Sequence, residues 1–416
     1  MRVLGKRSWL ATIAVAALSG ACQSVSGGAN PEVPNWVHRP SYSLQLLYKT
    51  NILASSRQVG EPYERGRPEL DIAHRRVFVG SSDRGLYAIR VEDGSTIWRF
   101  ETMGAVQCEP LYDPKEDVVY FGSNDGALYK AHAKDGKLIW RFYSRAEVAR
   151  QPVLEGGTLY FANANDTFLA IDAKTGKKLW SQHHAPALGM EIAGHAGPTV
   201  WKGRVYAAYS DGTVTAYDAK TGTERWRGTD LSGEAEDSLG DIPPYLDADT
   251  TPVVGSVEGT AAVFAGHYEG GVFALDARGG QIIWSNPAVR GVTELLMWEQ
   301  EAHGETTSDP GETARRILIA SSGTSGMWGL DPETGEELWR RDLPEGGTSA
   351  MEPILGALLV TTTKQGIFLV SPLDGGVIDG IHTGAGFSGS VAAYGRRAFT
   401  VSNEGKLYSL HVSPPK

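Results

Sequence analysis

The chain has 416 residues, with 51 glycines (about 12%, against a usual ~7%), 11 tryptophans and 41% hydrophobic residues. Lys+Arg number 39 against 49 Asp+Glu, a formal charge of −10 that excludes a general nucleic-acid binder, because polyphosphate partners need basic surface. Two cysteines exclude a disulfide framework or a cysteine-built zinc site, and the composition excludes collagen, coiled coil, polytopic membrane protein and disordered chain.

The N-terminus reads as an address. Arg2, Lys6 and Arg7 precede an apolar run from Trp9 to Leu18, and Ser19-Gly20-Ala21-Cys22 follows. A basic start, a short apolar stretch and small residues predict a secretory signal over 1–21, too short to span a bilayer permanently. The cysteine after the small residues resembles a bacterial lipobox, in which the thiol is acylated and becomes the mature N-terminus, so Cys22 is the predicted lipidation site. Gln23 at the next position resembles sorting to the outer membrane. Residues 22–40, rich in Gly, Ser and Pro, are predicted to be a flexible lipidated tether. Losing the three signal cations takes the mature charge to −13, a surface expected to be attracted neither to anionic lipid nor to nucleic acid, so the acyl chains would have to hold the protein at the membrane.

From Ser41 onward the chain repeats. VFVGSSDRGLYAIRVEDGSTIWRF from Val77 realigns with VYFGSNDGALYKAHAKDGKLIWRF from Val119 and with four further copies that end on Trp180, Trp226, Trp284 and Trp339. From Trp98 on, the spacings are 42, 40, 46, 58 and 55. A seventh copy from Leu359 has Asp379 in the tryptophan place. Each copy holds two short apolar runs separated by a glycine turn, then a second glycine turn before the tryptophan, the signature of tight β-hairpins. A further short strand is predicted ahead of each copy, opened by Pro68, Pro110, Pro152, Pro198, Pro252 or Pro353, since proline is tolerated at a strand start or on an edge. Four antiparallel strands per repeat, A to D with the tryptophan on D, predict an all-β propeller over 41–416. The last copy, from Ala398, stops before strand D, and Ser43 to Leu53 looks like an orphan strand D with Tyr48 in the tryptophan place. Pairing the two termini gives eight blades of 47 residues each and closes the ring.

The residues that look chemical have plainer readings. Gly384-Ala-Gly386-Phe-Ser-Gly389 matches G-x-G-x-x-G, but a strand-like SVAAYGRRAFTV follows instead of the helix a pyrophosphate site requires. His183-His184 reads as a solvated loop pair rather than a metal site, and Cys108 as a packing residue rather than a nucleophile. The D-A-x-T-G-x-x-x-W pattern resembles the blades of quinoprotein dehydrogenases, which hold pyrroloquinoline quinone and calcium at the propeller centre. Many of those stack the quinone under an adjacent-cysteine disulfide, which Cys22 and Cys108 cannot form, and no Glu, Asn and Asp set for calcium stands out. The reading carries no catalytic residue, no cofactor and no metal.

Three long connections, Ser181 to Gly197, Arg227 to Thr251 and Ser285 to Arg316, are all predicted to run from strand D to the next strand A, which places them on one rim. The second is acidic, with Asp230, Glu234, Glu236, Asp237, Asp241, Asp247 and Asp249. The run LDADTTPVV (Leu246 to Val254), ALDARGGQIIW (Ala274 to Trp284) and the ending GFSGSVAAYGRRAFTVSNEGKLYSLHV resemble the BamB family, outer-membrane lipoproteins that assist insertion of β-barrel proteins. The resemblance covers essentially the whole chain. It implies an eight-bladed, non-catalytic propeller at the periplasmic face of the outer membrane, docked on POTRA domains of a BamA-like partner and binding no nucleic acid. The paired aspartates of the family's contact match Asp247 and Asp249, and its apolar-x-apolar-Arg stretch matches Met190, Ile192 and Ala193, where the arginine is missing. Met190, Ile192, Asp247 and Asp249 are therefore the expected contact residues. The insertion Gln300 to Thr313 is a further departure from the family.

Overall fold

In a computed structural model, every repeat forms one four-stranded antiparallel sheet, and eight such sheets make the propeller. The structure describes residues 42–53, 63–185, 196–232, 245–248, 250–300, 315–342, 347–364 and 366–414, so Cys22 and the tether lie outside the described residues. Blade 1 comprises Glu69–Asp71, Arg76–Gly80, Gly85–Arg90 and Thr96–Glu101 as strands A to D. Blade 8 takes Ala392–Tyr394, Arg397–Val401 and Lys406–Val412 from the C-terminus, and its strand D is the N-terminal Leu44–Asn51. The expected closure by both termini is therefore observed. Pro68, Pro110, Pro152, Pro198 and Pro252 stand directly before a strand A, while Pro353 sits inside the strand Glu352–Ile354.

The core is not a single centre. Eight clusters of buried side chains each join one blade to the next, as where Phe78, Leu86 and Ala88 of blade 1 meet Val119, Phe121 and Tyr129 of blade 2. Both faces of strands B and C are covered in this way, which explains their near-continuous apolar runs. All eight strands D carry a β-bulge beside the tryptophan position, as where Ala88 pairs with Trp98 but Ile89 pairs with Thr96. The bulge turns the tryptophan inward and the residue before it outward. Trp98 then lies over Gly136 of the next blade, where a Cβ would stand 2.7 Å from the indole, and its Nε1 donates to the Ala133 carbonyl at 3.0 Å. That glycine has φ +70°, so the turn geometry and the indole both require it. Trp140, Trp180, Trp284 and Trp339 donate in the same way, to Ala173, Ala219, Pro332 and Pro372.

Candidate partner-binding face and hub

Strand direction gives the disc two unlike faces. D-to-A connections and B-to-C hairpins emerge on one, here the loop face, and A-to-B and C-to-D turns on the other, the turn face. Two of the three long connections lie on the loop face: blade 3 to blade 4, between His183 and Thr199, and blade 4 to blade 5, between Asp230 and Val253. The third divides differently from the sequence expectation. Val292–Glu299 is strand A of blade 6, paired with Arg316–Ser322, so only Pro287 to Gly291 reach the loop face. The insertion after Gln300 is an A-to-B connection on the turn face. This strand A was hidden because no proline introduces it and a long insertion separates it from its partner.

Met190, Ile192 and Asp249 lie outside the described residues. Asp247 is described and is only 1% exposed, so it is not offered to a partner at the surface as the sequence reading expects. Its stretch works as a clamp between blades. The Asp247 carbonyl accepts the Tyr268 N–H at 3.0 Å, and Ala248 N–H donates to Tyr209 at 3.1 Å. Thr250 Oγ1 accepts from Gly266 at 2.7 Å, and Thr251 Oγ1 from Gly197 at 2.9 Å. Under this clamp lies His267, fully buried, its Nδ1 accepting the Gly270 N–H at 2.7 Å. Burial pushes its pKa down to about 4, so the ring is neutral near pH 7. Tyr245 packs edge-on against Tyr268, centroids 5.4 Å apart.

The preceding connection is pinned where it leaves strand D. His184 is only partly exposed: its ring stacks on Tyr209 at 3.7 Å and 3°, with Nδ1 3.4 Å from Asp211. His183 ends strand D, its Nδ1 3.1 Å from Thr167 Oγ1. The glycine motif at 384–389 is a packing device, because a Cβ on Gly386 would run into the Thr363 carbonyl and one on Gly389 into that of Gly66. Cys108 is fully buried, and burial pushes its thiol up to about 12, which leaves no thiolate for chemistry.

At the centre of the loop face a funnel of about 390 Å³ opens, lined by Arg65, Glu109, Glu147, Arg150, Tyr268 and Glu294 among others. Within the hub, ion pairs run between distant blades: Arg67 to Glu352 and Arg150 to Glu294, each at 2.5 Å. Burial raises the Glu69 pKa to about 7, against the pull of the Tyr112 N–H and Arg67. Burial also opposes the Arg67 charge, yet Glu109, Glu352, Glu69 and Glu294 around it hold its pKa above the usual value. None of these residues was legible as a hub group, because the pairs are separated by 285 and 144 positions.

A quinone of the dehydrogenase type carries three carboxylates, and this hub does not fit it. Its carboxylates outnumber its arginines, and of the three arginines at the hub Arg67 and Arg150 are already paired, which leaves Arg65 to meet three carboxylates. On the turn face, Asp71, His74 and Asp117 come within metal-ligand distance of one another, but Arg76 binds both carboxylates, with Nε 2.6 Å from Asp71.

The fold is shared widely. BamB from Moraxella catarrhalis superposes with a TM-score of 0.68 at 17% identity, over 88% of this chain and 99% of that one. The quinohemoprotein alcohol dehydrogenase of Comamonas testosteroni gives 0.65 at 14%, over 90% and 77%. The computationally designed Ika8 protein gives 0.62 at 13%, over 85% and 98%. At such identities these likenesses establish the fold alone. No curated protein sequence matches the chain. A family model described as outer membrane protein assembly factor BamB matches residues 112–297 and 292–408, most of the propeller, and the chain belongs to that family.

Proposed function

We propose that the protein is a non-catalytic scaffold lipoprotein of outer-membrane β-barrel assembly. It is anchored at the periplasmic face of the outer membrane through Cys22 and docked by its loop face on the POTRA domains of a BamA-like protein. The observation that carries this reading is the loop face itself. Two consecutive long connections begin and end there, and their described ends rest on built supports, His184 on Tyr209 and residues 245–248, Thr250 and Thr251 over His267. Met190 and Ile192 supply a small apolar anchor, and Asp249 a carboxylate for basic groups of the partner. Central anchors carry most of the affinity of such patches, while rim charges steer the encounter. Asp247, itself buried, helps hold its own stretch between blades through its carbonyl.

The test is capture of the barrel-assembly partner by the full chain. Met190→Asp with Ile192→Asp is expected to weaken capture by roughly tenfold or more, and Asp249→Arg by less. Unchanged capture by the double variant removes this site. A quinone-dependent oxidoreductase is the alternative reading of the blade pattern, which dye-linked alcohol oxidation after addition of quinone and calcium would reveal and which the paired hub arginines argue against.

A further inference from the structure

The turn face carries a different chemistry from the loop face. Strand D of blade 8 begins at Leu44, paired with Val412 at the end of strand C, so the described chain starts on the turn face. Any tether leading to Cys22 leaves from that side. Twenty residues from Cys22 to Ser41 can reach roughly 65 Å, so the tether alone imposes no orientation on the disc. Side chains on the face must do so.

Over blades 2 to 4 the C-to-D turns of this face are basic, while its A-to-B turns bring Lys115, Lys202 and Arg204 against Asp113, Glu116, Asp117 and Glu155. The C-to-D turns 132–138, 172–178 and 218–225 bring Lys134, Lys137, Lys174, Lys177, Lys178, Lys220 and Arg225, all exposed, against Asp135, Asp172, Asp218 and Glu224. Three of the carboxylates are engaged inside their own turns. Asp172 accepts from Thr175 at 2.7 Å, Asp218 from Thr221 at 2.8 Å and Asp135 from Lys137 N–H at 3.2 Å. Lys134, Lys174, Lys177 and Lys220 form no ion pair among the described residues. Beside them the bulges expose apolar side chains, Leu138 at 50%, Ile139 at 38% and Leu179 at 53%. Blade 6 is opposite in sign, with Glu333, Glu336 and Glu337 in its turn.

We infer that the turn face of blades 2 to 4 rests on an anionic phospholipid surface, its lysines among the headgroups and Leu138, Ile139 and Leu179 at the acyl boundary. The acidic blade 6 tilts away, and the loop face is left free for its partner. Net charge conceals this, because the −13 left without the three signal cations is a total over both faces while a bilayer meets only one. Lysines within a Debye length of an anionic surface are attracted individually, and apolar neighbours beside them favour lipid over a soluble polyanion. The proposal rests on the anchoring reading only for bringing the face to the membrane.

The full chain is tested with an environment-sensitive bimane on Leu179→Cys or, on the loop face, on Met103→Cys, which is 75% exposed in the parent residue. Cys108 is buried and stays unlabelled. Vesicles of phosphatidylcholine, with or without phosphatidylglycerol, carry a nitroxide lipid as quencher. Quenching at 179 should exceed that at 103 by roughly threefold on anionic vesicles. Lys174→Glu, Lys177→Glu and Lys178→Glu together, or high salt, should remove most of the difference. Equal quenching at the two positions, or a difference indifferent to phosphatidylglycerol or to the lysines, overturns the proposal. Labelling of Cys22 in the parent chain would sink the anchoring reading instead, and flotation of that unanchored chain on anionic but not zwitterionic vesicles would still uphold this one.

Discussion

Six of the eight joints between blades are built around a tryptophan, and two are not. At an ordinary joint the indole of strand D covers the turn glycine of the next blade, and in all but Trp226 it donates to a carbonyl there, as Trp98 does to Ala133. At the closure, blade 8 has no C-to-D turn to receive an indole, because its strands C and D come from opposite ends of the chain. Asp379 replaces the tryptophan of blade 7, and its carboxylate accepts the N–H of Leu44, the first residue of the N-terminal strand, at 3.0 Å. Tyr48 replaces it in blade 8, its hydroxyl donating to the Val91 carbonyl at 2.8 Å and its ring covering Gly94 as an indole would. The hub stitches the same seam, since Glu352 of blade 7 holds both Arg67 and the Ala393 N–H of blade 8. Ordinary joints rest on apolar area, whereas the seam relies more on directed polar contacts that only the correct strand can satisfy.

If that contrast is right, an ordinary joint is broken by removing area. Trp140→Ala deletes the indole between blades 2 and 3 and should cost about 3–5 kcal/mol, read as a lowered urea midpoint. Trp140→Phe should recover most of it, losing chiefly the bond to Ala173. Full retention of stability in Trp140→Ala would show that the joints do not depend on the indole.

The seam should instead be broken by removing an acceptor. Asp379 is 2% exposed, and Asp379→Ala leaves the buried Leu44 N–H without its acceptor, at a cost of about 1–3 kcal/mol. Asp379→Asn keeps a carbonyl oxygen that can accept and should lie closer to the parent. Limited proteolysis should find the strand Leu44–Asn51 released first in the alanine variant. Equal losses in the alanine and asparagine variants would assign the carboxylate an electrostatic role rather than an acceptor's.

The ordinary joints were legible in the sequence and the seam was only half so. Tryptophan after a glycine turn recurs because one physical arrangement, a positive φ beneath a flat ring, recurs with it. Tyr48 and Asp379 could be placed by alignment, but the role of Asp379 depends on Leu44, 335 residues away. The strand Val292–Glu299 escaped for want of the usual proline, and with it went the face on which the insertion after Gln300 emerges. Asp247 was expected at the contact surface because its position matches one of the family's paired aspartates. Its burial follows from the tertiary clamp of Thr250, Thr251 and Ala248, which periodicity does not encode. The basic sector of the turn face was hidden by the total charge, because residues that alternate in the repeat separate onto opposite faces only once the strands are folded.

The hub side of the seam predicts a smaller, pH-dependent effect. Glu69, on strand A of blade 1, has its pKa raised by burial from 4.5 to about 7. A folded-state pKa above the unfolded one means that the folded protein binds more protons between those values, so stability falls as pH rises from about 4.5 to 7. A rise of that size corresponds to at most about 3 kcal/mol. The funnel admits water to the hub, and the working value should be nearer about 1 kcal/mol. Glu69→Gln removes the titration and should gain on the parent steadily over this range, then hold a constant advantage above it. His267, with its pKa lowered to about 4, acts with the opposite sign: its contribution is present above pH 6.5 and lost as the pH falls toward 4. Because the two oppose each other in the parent, the informative quantity is the difference between Glu69→Gln and parent at each pH, in which His267 cancels. A difference that does not change between pH 4.5 and 7 would mean that Glu69 is ionised in the folded hub throughout, held so by Arg67. The seam would then be charged at its centre.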